Sequence, residues 1–111
     1  MPKNDTFKTE QLTDSAYYIL LSLLQERHGY AIMKHIEEVT QGAVVIGAAT
    51  MYTLLKKMLK NEFIKQVGGS ERTKQYQITK KGLAILKNDV LRREKMVLNG
   101  RKLFQERGYD W

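Results

Sequence analysis

Side chains able to contact nucleic acid are concentrated between residues 50 and 60. Hydroxyl and ammonium groups recur there beside an apolar stripe, and they belong to Thr50, Tyr52, Thr53, Lys56, Lys57 and Lys60. An α-helix fits the major groove of DNA, where hydroxyls can bond base edges or phosphates and lysines can neutralise the phosphate backbone. A solvated helix face would carry the same residue types, so this pattern alone leaves both interpretations open.

A second basic segment follows, with small residues at its centre. The turn-forming run Gly68-Gly69-Ser70-Glu71 is flanked by cationic residues, namely Lys65, Arg72 and Lys74. A slim basic ribbon of this kind can lie along a phosphate strand or enter a minor groove. An ordinary surface hairpin whose edge lysines oppose aggregation would also fit. The neighbouring basic helix favours the first interpretation.

The net charge of +7 arises mainly in the middle third of the chain. Residues 48–81 carry eight Lys and Arg against two Asp and Glu, whereas residues 1–47 carry four against six and residues 82–111 seven against four. Such a localised positive charge predicts an anionic partner, and double-stranded DNA suits the helix and the ribbon together.

No residue pattern predicts catalysis, a metal site or a cofactor. The chain has no cysteine, and His28 and His35 stand too far apart to form a recognised ligand pair. No nucleophile with a base, paired carboxylates or phosphate-binding loop is visible. We therefore expect a protein that is not an enzyme. Because the first ten residues are polar and no apolar run could span a bilayer, we also expect a cytoplasmic protein with no membrane contact.

Hydrophobic periodicity predicts three short helices followed by a β-hairpin. The helices run from a cap at Thr13 or Ser15 to near Gly29, from Tyr30 to Thr40, and from Ala48 to Asn61. Apolar alternation then predicts strands at 63–67 and 72–78. We expect Gly29 to end the first helix because glycine tolerates the left-handed conformation that closes helices. This order predicts a mainly α protein with a small β-hairpin, a winged helix-turn-helix.

A final long helix, capped by Thr79, extends beyond what a small core can bury. Its apolar residues fall near a seven-residue repeat and are Leu83, Leu86, Val90, Val97 and Phe104. An apolar helix face without an internal partner must find another surface, and self-association is the simplest solution. We therefore divide the chain into a flexible arm (1–11), a winged helix-turn-helix domain (12–79) and a C-terminal dimerisation helix (80–111).

Five blocks of sequence resemble PadR-like transcriptional regulators. They begin at Leu12, His28, Ala49, Asn61 and Lys74, and read LTDSAYYILLSLL, HGYAIMKHI, ATMYTLLKKM, NEFI and KQYQITKKG. The resemblance covers about residues 12–92, and the remainder is similar to the compact subgroup with a single C-terminal dimerisation helix. It implies a homodimeric repressor, often responsive to a small molecule. It also implies DNA contacts by Thr50, Tyr52, Thr53, Lys56, and near Gly69, Arg72 and Lys74.

Two features depart from that family, and two other functions stay open. The wing has its charges spread over Arg72 and Lys74 instead of a basic pair before Tyr76. Some related regulators bind flat drugs against a tryptophan of the C-terminal helix, but the sole tryptophan here is Trp111, so we do not transfer that pocket to this chain.

We expect a ligand-responsive repressor that binds an inverted-repeat promoter operator as a homodimer. A winged-helix adaptor that has lost DNA binding, or a dimer that binds small molecules, is the alternative.

Overall fold

The structure, a computed structural model, describes residues 11–71 and 73–110. Most of the predicted arm, together with Arg72 and Trp111, lies outside the described residues. The elements in chain order are α1 (Asp14–Ser22), β1 (Arg27–His28), α2 (Gly29–Val39), α3 (Ala48–Lys60), β2 (Ile64–Gly68), β3 (Gln75–Ile78) and α4 (Lys80–Glu106). The strands form an antiparallel sheet in the order β1-β3-β2. This arrangement confirms the mainly α winged-helix fold with a C-terminal helix.

Helix α1 is shorter than the periodicity predicted. Its start is confirmed, because the Thr13 hydroxyl accepts a hydrogen bond from the Ala16 amide at 3.1 Å. The predicted end near Gly29 is wrong, since the helix stops at Ser22. The backbone beyond it joins the sheet: Ile78 N donates to Leu23 O at 2.9 Å, and β1 then pairs with β3. Sheet pairing therefore takes the backbone groups that helical bonds would have used.

Gly29 begins α2 instead of ending α1, which corrects the role that we assigned to it. Its backbone is not among the glycines with positive φ, which are Gly42, Gly69 and Gly108. A Cβ at Gly29 would lie 2.5 Å from the Tyr52 hydroxyl oxygen of α3. A larger residue here would have to displace the Tyr52 side chain, so Gly29 leaves room for a neighbouring side chain and does not close a helix.

The core lies between the three short helices, the sheet and the first turns of α4. Its largest fully buried side chains include Ile19, Leu20, Leu23, Ile32, Ile36, Met51, Leu55, Met58 and Ile64. Helix α4 starts as predicted, with the Thr79 hydroxyl accepting from the Gly82 amide at 3.1 Å. Gly82 fits because a Cβ there would collide with the Phe63 carbonyl oxygen of the strand connection.

The residues predicted to form the dimer contact differ in burial along α4. Leu86 is 3% exposed and packs inside the core, so it presents no surface to a partner. Leu83 and Val90 are half-buried at the edge of the core. Val97 and Phe104 lie on the outer part of the helix and are 56% and 44% exposed.

None of the helices in the described part of the chain combines the length and the apolar character that a membrane span requires.

Candidate nucleic-acid interface

Helix α3 separates an apolar face from a polar one. Met51, Leu55 and Met58 are buried, and they fix the orientation of the helix against the core. The predicted contact residues all lie on the exposed side, and they are Thr50, Tyr52, Thr53, Lys56 and Lys57. This face ends in a cationic turn, because Lys57 and Lys60 occupy the last turn of the helix. Lysines at the C-terminus of a helix interact favourably with the negative end of the helix dipole.

The exposed face of α3 divides into two sides. Thr50 and Thr53 line a shallow hollow of about 440 Å³ together with Thr13 and Ser15 at the start of α1. Tyr52 instead lines a cleft on the side of the wing. The structure therefore does not bring all five predicted residues to one point, and the two threonines form a separate patch from Tyr52.

Tyr52 is positioned by the start of α2 and by β3. Its hydroxyl oxygen lies 2.5 Å from where a Cβ at Gly29 would stand, so a larger residue there would require the Tyr52 side chain to move. On the other side stands Tyr76 of β3, which is 6% exposed. Burial raises the pKa of the Tyr76 phenol, and the neighbouring Tyr52 raises it further. Tyr76 therefore stays protonated at neutral pH, and its phenol can donate or accept a hydrogen bond beside Tyr52.

The wing is the hairpin of β2 and β3, and its tip depends on Gly69. The φ of Gly69 is +89°, and a Cβ there would collide with the Thr73 carbonyl oxygen. Across the tip, Thr73 N donates to Ser70 O at 3.2 Å and the two hydroxyls lie 3.0 Å apart. Lys65 is exposed and Lys74 half-buried. Arg72 lies outside the described residues, so its predicted contact stays a prediction.

A cleft of about 470 Å³ joins the wing, α3 and the start of α2. Its lining residues are His28, Gly29, Tyr30, Tyr52, Glu71, Thr73, Lys74 and Tyr76. Two predicted contact residues from distant elements, Tyr52 and Lys74, thus share one cavity. The hydroxyl groups and the Lys74 ammonium of this cleft suit the sugar-phosphate strand of DNA, whereas the Glu71 carboxylate in the same lining would repel a phosphate.

Sequence reasoning missed the contribution of α2 to this cleft. His28 pairs with Gln75 in the sheet, and Tyr30 is 66% exposed at the first turn of α2. The signal that could have found them was the run His28-Gly29-Tyr30, where a glycine between two ring side chains marks a close approach of backbone to another element. These residues widen the candidate interface from two elements to three.

The second histidine has a structural role. His35 Nδ1 lies 3.0 Å from the Ser22 hydroxyl, which itself donates to the Tyr18 carbonyl oxygen at 3.0 Å. Burial lowers the pKa of His35 and Arg27 lowers it further, against an opposing effect of Glu38. The imidazole is therefore neutral at pH 7 and joins α2 to α1. Within the described part of the chain, no group of three His, Asp or Glu could hold a metal ion.

Comparison with known proteins gives the family of this fold. The model of the PadR-like family of transcriptional regulators matches residues 19–88. A transcriptional regulator from Clostridium thermocellum is 30% identical, with 90% of this chain and 97% of that chain covered and a TM-score of 0.65. A PadR-like regulator from Bacillus cereus is 22% identical, covering 92% and 98% of the two chains at a TM-score of 0.68. A PadR family regulator from Eggerthella lenta is 20% identical, covering 81% and 80% at 0.68. No curated protein gives a significant match.

Proposed function

This chain belongs to the PadR-like family of transcriptional regulators, and we propose that it is a ligand-responsive repressor that binds an inverted-repeat promoter operator as a homodimer. The family is one of transcriptional regulators and not of enzymes, which supports a DNA-binding role for this chain. The observation that carries the proposal is the shared cleft: Tyr52 of α3 and Lys74 of the wing line one cavity although they stand far apart in the sequence.

Helix α3 is the proposed reading element. Its exposed face enters the major groove, with Thr50, Tyr52 and Thr53 near its start aimed at base edges and phosphates. Lys56 and Lys57 lie further along the helix, where ammonium groups neutralise the phosphate backbone and carry little sequence information. The wing adds backbone or minor-groove contacts through Gly69, Arg72 and Lys74.

The outer part of α4 is the proposed dimer contact, and its occupant is a second copy of this chain. Beyond the core this helix exposes several large apolar side chains, namely Leu91, Met96, Val97, Leu98, Leu103 and Phe104. Val90, Val97 and Phe104 recur at intervals of seven residues, which suits a helix pair. Two copies joined in this way would place their reading helices about 34 Å apart, one turn of DNA.

Release of DNA is proposed to follow from a change in the angle of this dimer. A small molecule that binds one dimer angle more tightly shifts the population toward it and moves the two reading helices out of register. Its effect would be measured as a loss of operator affinity that is matched by a reciprocal loss of ligand affinity on DNA.

The test is a titration of labelled DNA from the region upstream of the gene against an unrelated duplex of equal length. We expect tight, selective binding of two protomers per site. Affinity should fall steeply with salt, because lysine and arginine release counterions from the phosphates. Equal, weak binding to both duplexes would contradict an upstream operator, and no binding at low salt would favour an adaptor that has lost DNA binding.

A further inference from the structure

A buried carboxylate lies where α4 leaves the winged-helix core. The side chain of Asp89 is 0% exposed. Its Oδ1 accepts from Arg92 Nη2 at 2.9 Å and from the Leu12 amide at 3.2 Å, while its Oδ2 accepts from Arg93 Nε at 2.6 Å. Burying a charge is costly unless it is paired and hydrogen-bonded, so this carboxylate holds its donors in one geometry.

Arg93 extends the contact to the start of α1. Its Nη1 donates to Asp14 Oδ1 at 2.8 Å and its Nη2 to the Leu12 carbonyl oxygen at 2.9 Å. Its guanidinium carbon also lies 4.3 Å from the ring centroid of Tyr17. Both backbone polar groups of Leu12 are thus bonded by side chains of α4, through Asp89 and Arg93. We call this set of contacts the α1–α4 clamp.

The clamp sits at the last attached turn of α4. Val90 still packs against the core, whereas residues 94–99 and 101–110 are exposed. From Arg93 the helix continues to Glu106, a rise of about 20 Å at 1.5 Å per residue. A tilt of about 10° at the clamp would move the far end by roughly 3.5 Å, close to the rise of one base pair. A small change in the angle at this joint therefore displaces the end of α4 by a distance comparable to one base-pair step.

We propose that Asp89 is a positioning residue for operator spacing: through the α1–α4 clamp it sets the angle at which the dimerisation helix leaves the reading head, and hence the half-site separation that the dimer accepts. This rests on the proposed function, because it needs α4 to join two DNA-binding copies. Apolar packing of Ile85 and Leu86 already attaches the helix to the core, but such packing is not directional. Hydrogen bonds to a buried carboxylate constrain the angle.

The first experiment measures the geometry of the dimer. The chain has no cysteine, so Lys34→Cys on the exposed side of α2 gives one nitroxide label per protomer. Pulsed electron spin resonance then reports the distance between the two heads. We expect a narrow distribution for the otherwise unchanged chain and a distribution at least about twice as broad for Asp89→Asn. The matched control is Glu94→Gln, which removes an exposed carboxylate from the same helix and should leave the distribution unchanged.

The second experiment measures spacing preference, which a purely structural role would not alter. A duplex selected by the unchanged dimer from random sequence is lengthened or shortened by one and two base pairs at its centre. We expect the unchanged dimer to prefer its own spacing by about tenfold or more per base pair, and Asp89→Asn to lose most of that preference. Glu94→Gln should keep it.

Arg93→Lys is the second variant, and it tests the proposal in both experiments if Asp89→Asn does not fold. It keeps the positive charge but removes the forked contacts to Leu12 and Asp14, so an intermediate broadening and an intermediate spacing preference are expected. A folded, dimeric Asp89→Asn or Arg93→Lys with the original distance distribution and spacing preference would overturn the proposal while leaving the proposed function intact. An unchanged chain that shows no distance between protomers, or that selects no duplex, would overturn both.

Discussion

Removing one lysine of α3 should change the salt dependence of DNA binding by an amount that can be worked out beforehand. Lys56 is exposed and forms no ion pair within the described residues. Each phosphate neutralised on duplex DNA contributes about 0.9 to the log–log slope of affinity against salt. A dimer that contacts about eight phosphates has a slope of about minus 7, and Lys56→Ala removes two contacts, one per protomer.

The slope should therefore become less steep by about 1.8, which is about a 60-fold smaller gain in affinity between 1 M and 0.1 M salt. Fluorescence anisotropy over a salt series measures it on both the operator and an unrelated duplex. Their affinity ratio should change little, because phosphate contacts carry no sequence information. Lys87→Ala removes an exposed lysine from the part of α4 that is attached to the core, and as the matched control it should leave the slope unchanged. An unaltered slope for Lys56→Ala would refute the placement of this side chain on the phosphate backbone.

Three further predictions concern the wing, the clamp and the dimer. Gly69→Ala should destabilise the hairpin by at least about 1 kcal/mol, because the left-handed φ and the Thr73 carbonyl oxygen both oppose a Cβ. Gly68→Ala is the control and should be tolerated. Urea unfolding and operator titration measure the stability and the DNA affinity of both variants. Burial raises the pKa of Asp89, but hydrogen bonds from the neighbouring arginines and a backbone amide outweigh it and hold that pKa below its ordinary value. The folded state thus binds the proton less readily than the unfolded chain does. The contribution of Asp89 to stability is therefore present at neutral pH and declines as pH falls through the ordinary carboxyl range. Urea unfolding between about pH 6 and about pH 3 should show a smaller decline in the free energy of unfolding for Asp89→Asn than for the unchanged chain. Val97→Asp should leave helicity intact and yield monomers in sedimentation, whereas Leu86→Asp should unfold the chain because that side chain is buried; a helical monomer from Leu86→Asp would contradict the core assignment.

Most of the elements could be read from the sequence because the signals that specify them are local. Helix α2 is confirmed to within a residue of the predicted range, and α3 ends one residue earlier than predicted. The period changes from about 3.6 to about 2 after Asn61, and this change located the hairpin. Thr13 and Thr79 cap helices as predicted, because a capping hydroxyl needs only an amide three residues further on.

The candidate interface could be predicted only in part. The polar face of α3 followed from the spacing of Met51, Leu55 and Met58, since burying one face of a helix exposes the other. Its division into a threonine patch and a Tyr52 cleft did not follow, because that depends on which elements lie beside α3. Tyr30 was missed for the same reason: it lines the cleft together with Tyr52 and Tyr76, which are distant from it in the sequence.

The sequence by itself determined the four helices and the hairpin, their order, the capping threonines of α1 and α4, and the concentration of positive charge, all of which depend on residues near one another along the chain. The tertiary structure alone decided where α1 stops, that β1 joins the hairpin, what Gly29 contacts, and that Leu86 belongs to the core. It also decided that Asp89 is buried against Leu12, which lies 77 residues away in the chain. Periodicity indicates that a residue faces inward, but it does not indicate which residues, distant in the sequence, it packs against. Burial, close approach and ion pairing depend on such distant partners, and only folding brings those partners together.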